Sequence, residues 1–304
     1  MTGRLDIIGA PSSAAAFAPG QEQAPAALRE AALLDRLTRL GVSVLDRGDV
    51  PGVRWRTDRT NLRAMNADSA ADVARAVGVR VADALADDAA VLVLGGDCTV
   101  GVGTVVGALG DGGDVGLVYV DLDTDLNTPT SVDDGALDWM GVAHLLGIEG
   151  TVPSLAGVGS RTPLLRADQI HFFGNDNSTE FERRIINERG IAEVPLAVVA
   201  ADPATAAAGV IDGWARRFER LLIHLDVDVL DFADLPIAEE TRRNRGLRLG
   251  QLVAALNVLV AAPNWVGLTV CEINPDHGEL DGSTMRLFAE QLAGVLSHAV
   301  RFRS

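Results

Sequence analysis

Apolar, strand-like runs recur at fairly regular intervals along the chain: "RLDIIGA", "VSVLDRG", "AVLVLGG", "VGLVYVD", "QIHFFG", "LAVVAA", "RLLIHLD" and "WVGLTVCEI". Between several of them lie segments with helical apolar spacing, such as "SAADVARAVGVRVADALA" (69–86) and "LGQLVAALNVLVAA" (249–262). Strand and helix alternating over the whole length predicts an α/β fold, with a mostly parallel sheet and helices on both faces. No Ser/Pro linker, repeat or low-complexity block interrupts the pattern, so one domain is expected over residues 1–304. The longest irregular stretch, "LNTPTSVDDGALDWMG" (126–141), leaves the strand at 117–121. Open α/β sheets bind ligands at such loops.

Three of the runs end in acidic or soft-ligand residues: "VLVLGGDCTV" (91–100), "LVYVDLDTD" (117–125) and "LLIHLDVDVLD" (221–231). In a parallel sheet all three clusters emerge on one edge. Aspartate as a strand-ending turn former explains one such cluster. It does not explain three, because Asp121, Asp123, Asp125, Asp226 and Asp228 would then crowd together uncompensated. Ionised carboxylates leaving water unpaired are costly, so a pair of divalent cations is the economical solution. Oxygen-rich ligation favours Mn²⁺, Mg²⁺ or Ca²⁺ over zinc. A calcium loop starting at Asp121 fails, since Leu126 and Val132 stand where glycine and glutamate are required. "DVDV" at Asp226 fits the nucleophile string of haloacid dehalogenase-type phosphatases, but those enzymes use a downstream lysine (occasionally arginine) and this chain has no lysine.

Composition narrows the partners. Hydrophobic residues make up 48% of the 304, enough for a sizeable core. No apolar run reaches the ~18 residues a membrane span needs, and the start "MTGRLDIIGAP" has no signal-peptide core, so a cytoplasmic protein without a membrane partner is expected. Cys98 and Cys271 are too few for a disulfide framework. A formal charge of −16 argues against nucleic acid and suits a small cationic substrate. All 26 basic residues are arginine, which removes mechanisms needing a catalytic amine.

"GGDC", "DLDTDLNTP", "HLDVDVLDFADLP" and "CEINP" resemble, in order and separation, the four signature blocks of the ureohydrolase family, the arginases and agmatinases. The family forms are G-G-D-H, D-A-H-x-D-x-N-T-P, S-x-D-x-D-x-x-D-P and E-x-N-P. The opening "IIGAPSSAAAFAPGQEQAPAALREAALLDRL" resembles the family's first strand, glycine loop and helix, so the likeness spans roughly the whole chain. It implies a three-layer α/β/α fold, two divalent metal ions (most often Mn²⁺) and a homotrimer or homohexamer. The implied reaction converts a guanidino or N-hydroxyguanidino group to an amine plus urea or hydroxyurea. Carried over by position, Asp121 and Asp226 bridge the metals, Cys98 and Asp125 complete one, and Asp123 and Asp228 complete the other. Asp125 then handles the proton passed to the leaving amine. Glu272 pairs with the guanidinium. Asn127 and Thr241 are candidates for substrate positioning, as is Asp176 in "FFGNDN".

The departures carry information too. Cys98 replaces the family's usual histidine, as in members that act on hydroxylated arginine; its other reading is a small thiol buried at a tight turn. Asp123 replaces the second histidine. Five aspartates and a thiolate around two divalent ions leave the cluster two units negative if all are ionised. That excess favours a cationic substrate, and a proton on Asp123 or a weakly occupied second metal would relieve it. Asp134, Ala136 and Asp138 stand where arginases place serine, asparagine and a proton-shuttling histidine. Recognition of an α-amino acid head is therefore lost, and the extra carboxylate points to a differently charged substrate tail. Asp138 also reads as an N-cap. His224 supports a ligand or sits in the core, Cys271 reads as core, and the arginines of "ETRRNRG" (240–246) could bind a substrate carboxylate but read first as solvated or intersubunit surface. The expected activity is metal-dependent amidinohydrolysis. The rival is a metal-depleted pseudoenzyme of the same fold.

Overall fold

The structure, a computed structural model, describes residues 3–110 and 112–301. The ends of the expected 1–304 span lie outside the described residues. Among the described residues, eight strands form one sheet: β1 (Arg4–Gly9), β2 (Ser43–Asp49), β3 (Ala90–Leu94), β4 (Val115–Val120), β5 (Ile170–Phe173), β6 (Ala192–Val194), β7 (Arg220–Asp226) and β8 (Trp265–Cys271). Their order is β2-β1-β3-β8-β7-β4-β5-β6, with every neighbouring pair parallel. The four strands that lead into the signature blocks, β3, β8, β7 and β4, are thus adjacent at the centre. Parallel pairing sends their carboxyl ends to a single edge.

Alternation along each strand sorts the core into two layers. Leu5, Ile7, Leu92, Leu94, Val118, Val120, Ile223, Leu225, Leu268 and Val270 meet residues of the helices Ala24–Glu30, Leu33–Arg39, Leu249–Leu259 and Ser283–Arg301. On the opposite face, Val91, Val93, Leu117, Tyr119 and Leu222 pack under Ala67–Ala86 and Val100–Leu109. Those two helices approach very closely: a Cβ at Gly103 would stand 2.3 Å from the Ala74 carbonyl oxygen. Tyr119 and His224, opposite one another in the β4–β7 register, share that face and stack.

One expected strand is a helix. "LAVVAA" forms Leu196–Ala201, and the edge strand is the short "AEV" just before it. Pro195 has its φ already near the helical value and no N–H to lose, so it starts a helix. Six apolar residues alone do not distinguish the two states. The irregular stretch after β4 runs to a 3-10 turn, Asp138–Met140, and then the helix Gly141–Leu145.

His144 ties that helix to the next loop. Its Nδ1 lies 2.7 Å from the Met140 carbonyl oxygen and its Nε2 accepts the Val152 N–H at 3.1 Å, which fixes a neutral tautomer. Burial lowers its pKa from 6.5 to about 4. Between those values the unfolded chain takes up a proton that the native one refuses, so stability falls as pH drops from 6.5 to about 4. The loss from this residue is about 3 kcal/mol. His144→Asn is expected to be less stable at pH 7 but to show a shallower acid slope, read from urea midpoints across that window.

Candidate metal centre

The strand ends present their ligands through a repeated local device. Asp121 Oδ1 accepts the backbone N–H of Asp123 at 2.6 Å, and Asp226 Oδ1 accepts that of Asp228 at 2.7 Å. Each Asp-x-Asp therefore closes into an Asx turn that brings its two carboxylates together. After β3 the chain must turn against the first loop. A Cβ at Gly96 would fall 1.7 Å from the Ser12 carbonyl oxygen, so only glycine fits there. Cys98 N then donates to Glu272 Oε1 at 2.9 Å, while Gln21 Nε2 donates to Glu272 Oε2 at 3.1 Å. Asp125 and Glu272 both occupy the left-handed region, with φ of 51° and 64°. Such conformations in non-glycine residues are held by their surroundings and gather at functional sites.

Two overlapping sets of ligand atoms result, each within 4.8 Å: Cys98, Asp121 and Asp125, then Asp121, Asp123 and Asp228. Asp226 joins the first by accepting from Cys98 Sγ at 3.1 Å. Cys98, His224 and Cys271 form a third group on the sheet side, with His224 Nε2 3.2 Å from Cys98 Sγ. Burial, followed by their mutual repulsion, raises Asp121 well above the usual carboxylate range. Burial is likewise the main cause raising Asp125 and Asp226. Asp228 is raised to about 7, first by burial and then by Asp123. Burial also pushes the Cys98 thiol up. Asp121 Oδ2 is buried with no protein partner, which leaves it open to an ion. That oxygen is common to both sets, and the first set, with no arginine ion-paired to its carboxylates among the described residues, fits a divalent metal. The second set is engaged by protein: Arg242 Nη1 lies 2.8 Å from Asp123 Oδ2 and 3.6 Å from Asp228 Oδ2.

A profile of the arginase family matches residues 4–297. The chain belongs to this family. Its members are amidinohydrolases. Arginase-1 of Mus musculus is 31% identical over 284 residues, covering 90% of this chain and 86% of the mouse protein. Arginase of Bacillus caldovelox is 26% identical over 274 residues, 89% of this chain and 91% of its own. The solved structure of the Bacillus caldovelox arginase superposes with a TM-score of 0.83, covering 100% of this chain and 98% of that one at 24% identity. Proclavaminate amidino hydrolase from Streptomyces clavuligerus gives 0.70 at 20% identity, over 98% and 92%. These two structures show the arginase fold.

Within that fold, a cavity of about 340 Å³ has Cys98, Asp123, Asp125, Asp226, Asp228 and Glu272 in its wall. Asp134 and Asp138 line it too, with Glu239, Glu240, Phe17 and Trp139. Asp138 opens the 3-10 turn and its Oδ1 accepts the Trp139 N–H at 2.9 Å. Three of the substrate candidates are not among the lining residues. Asn127 is fully buried, its Oδ1 accepting from Ser131 and Thr179. Thr241 is exposed, its N–H on Glu240 Oε1 at 2.9 Å. Asp176 is exposed and ion-paired with Arg245 at 3.0 Å.

Sequence reading missed three participants. Tyr119 donates its buried hydroxyl to Asp125 Oδ2, Asn177 donates to Asp123 Oδ1, and Arg242 reaches into the cluster instead of lying on the surface. The period-two pattern of β4 was available for Tyr119, since it puts residue 119 on the same side as the strand-ending Asp121. Nothing local in "ETRRNRG" separates Arg242 from its neighbours.

Asp228 gives a pH test in metal-free protein. A carboxyl raised from 3.8 to about 7 on folding binds its proton more tightly in the native state. It contributes stability at low pH that is lost as pH rises through about 7. Asp228→Asn is expected to remove this contribution, so the variant-minus-wild-type difference in urea midpoint should change across pH 4–7 in chelator. Parallel profiles would contradict the assignment.

Proposed function

We propose that this chain is a metal-dependent amidinohydrolase that cleaves a linear guanidino or N-hydroxyguanidino compound to an amine plus urea or hydroxyurea. The observation that carries the reading is the set Cys98, Asp121 and Asp125, with an unpartnered Asp121 Oδ2, at a carboxyl-rich cavity that Cys98 and Asp125 line together with Glu272. Mn²⁺ suits the oxygen-rich donors, and Cys98, Asp121, Asp125 and Asp226 would hold it. Bound there, a divalent ion supplies the Lewis acidity that makes water nucleophilic at neutral pH. The family's usual second ion would take Asp121, Asp123 and Asp228. A homotrimer or homohexamer in the cytoplasm completes the proposal, with light scattering as its check on assembly.

The chain's own residues supply the rest. Glu272 is held by Cys98 N and Gln21 Nε2, so its carboxylate is fixed before substrate arrives and can orient a guanidinium. Tyr119 fixes the carboxylate of Asp125, a group that would hold the ion, so that it is also set to accept a proton from the attacking water and return it to the leaving amine. Asp134, Asp138, Glu239 and Glu240 add four carboxyl groups to a wall whose basic residue, Arg242, is already ion-paired, which favours a cationic substrate tail over a carboxylate.

Urea or hydroxyurea release should require added Mn²⁺ and be faster for guanidines with a cationic tail than for arginine. Asp125→Asn is expected to lower kcat about 10²–10³-fold with little change in KM. Metal-loaded protein inert across a panel of guanidines and N-hydroxyguanidines would sink the reading. The engagement of Asp123 by Arg242 favours a second reading, a non-catalytic member of the family, for which less than one tightly held ion per chain is expected.

A further inference from the structure

We propose that Arg242 stands in for the second cation of this centre, so that the chain holds one divalent ion tightly, on the Cys98 side. This rests on reading the cluster as a metal centre. Arg242 Nη1 sits 2.8 Å from Asp123 Oδ2 and 3.6 Å from Asp228 Oδ2, and Nη2 lies 3.9 Å from Glu240 Oε2. Asp123 and Asp228 belong to the second ligand set and not to the first. Among the described residues, no arginine is ion-paired with Asp121, Asp125 or Asp226.

The two sides of the cluster share Asp121 and differ in that Arg242 holds carboxylates of the second side alone. Asp121 Oδ2 is buried and lacks any protein donor. Asp123 has a donor on each oxygen, Asn177 Nδ2 on Oδ1 and Arg242 Nη1 on Oδ2. Asp228 keeps one unpartnered oxygen, Oδ1, in the same ligand set as Asp121, but its other oxygen lies 3.6 Å from Arg242 Nη1, so an ion there would meet a positive charge already in place. A guanidinium and a metal ion seek the same carboxylate lone pairs, and two cations over one pair of carboxylates repel. A neutral imidazole at 123 would take away the shortest of Arg242's three ion pairs, so the aspartate and the arginine act as a unit. Held by three carboxylates, Arg242 is also not free to receive a substrate carboxylate, and the cavity stays anionic.

The test strips full-length protein of metal, reloads it with Mn²⁺ or Co²⁺ and counts the ions retained after gel filtration. About one ion per chain is expected, and in the Co²⁺ form a thiolate charge-transfer band that Cys98→Ser abolishes. Arg242→Met should retain about two ions, binding the second at least tenfold more tightly than wild type does. Arg242→Lys, which keeps the charge, should stay at one. Two ions retained by wild type, or one by folded Arg242→Met, or two by Arg242→Lys, overturns the proposal, and the wild-type count decides if the Met variant does not fold. One ion without guanidine turnover would overturn the functional reading alone. Two ions with turnover would overturn this inference alone, and no ion would overturn both.

Discussion

Five aspartate carboxylates gathered at one sheet edge, mostly out of water, repel one another, and the rest of this edge is organised around that repulsion. The protein answers part of it internally. Backbone N–H groups of the Asx turns neutralise one oxygen each of Asp121 and Asp226, the Tyr119 hydroxyl serves Asp125, and Arg242 and Asn177 serve Asp123. What is left over is concentrated at Asp121 Oδ2 and Asp228 Oδ1. Unmet acceptors in a buried place are costly, so a fold that keeps them has a use for positive charge there.

That concentration depends on topology more than on any single residue. Four adjacent parallel strands deliver their ligands to one edge, although the ligands lie far apart along the chain, from Cys98 to Glu272. The local strain is consistent with this. Asp125 and Glu272 are held at positive φ, and Gly96 passes where no side chain fits, because the backbone must bend sharply as each strand ends. Helix packing supplies the rigidity behind it, with Gly103 and Gly107 letting Val100–Leu109 sit directly against Ala67–Ala86.

The sheet and the clustering of acidic strand ends were legible because both follow from short-range patterns: apolar runs, helical spacing, and Asp-x-Asp after a strand. The edge strand was misplaced because "LAVVAA" is apolar in either state and Pro195 decided the outcome. Arg242 was illegible for a different reason. Its role is set by a contact spanning 119 residues, and in sequence it looks like any arginine of a polar loop. The substitution at 123 did leave a trace, since a carboxylate where a neutral ligand is expected adds a charge that must be met somewhere. Sequence supplied that deficit without saying which residue meets it.

Cys98 shows how metal, proton and fold are coupled at this edge. Its sulfur lies between Asp226 Oδ2 and His224 Nε2, donating to the carboxylate, and burial favours the thiol over the thiolate. His224, stacked on Tyr119 and lowered to about 3 by burial, is neutral, so it brings no positive charge that would stabilise a thiolate. A thiolate ligand can therefore exist here only when a divalent ion replaces the proton, which makes binding release a proton and weaken as pH falls. The same reasoning applies to each buried carboxylate that holds a proton in the metal-free state. Affinity at this centre is thus set less by the number of acidic side chains than by how many protons an entering ion must displace. A protein guanidinium already occupying part of the cluster adds to the same competition.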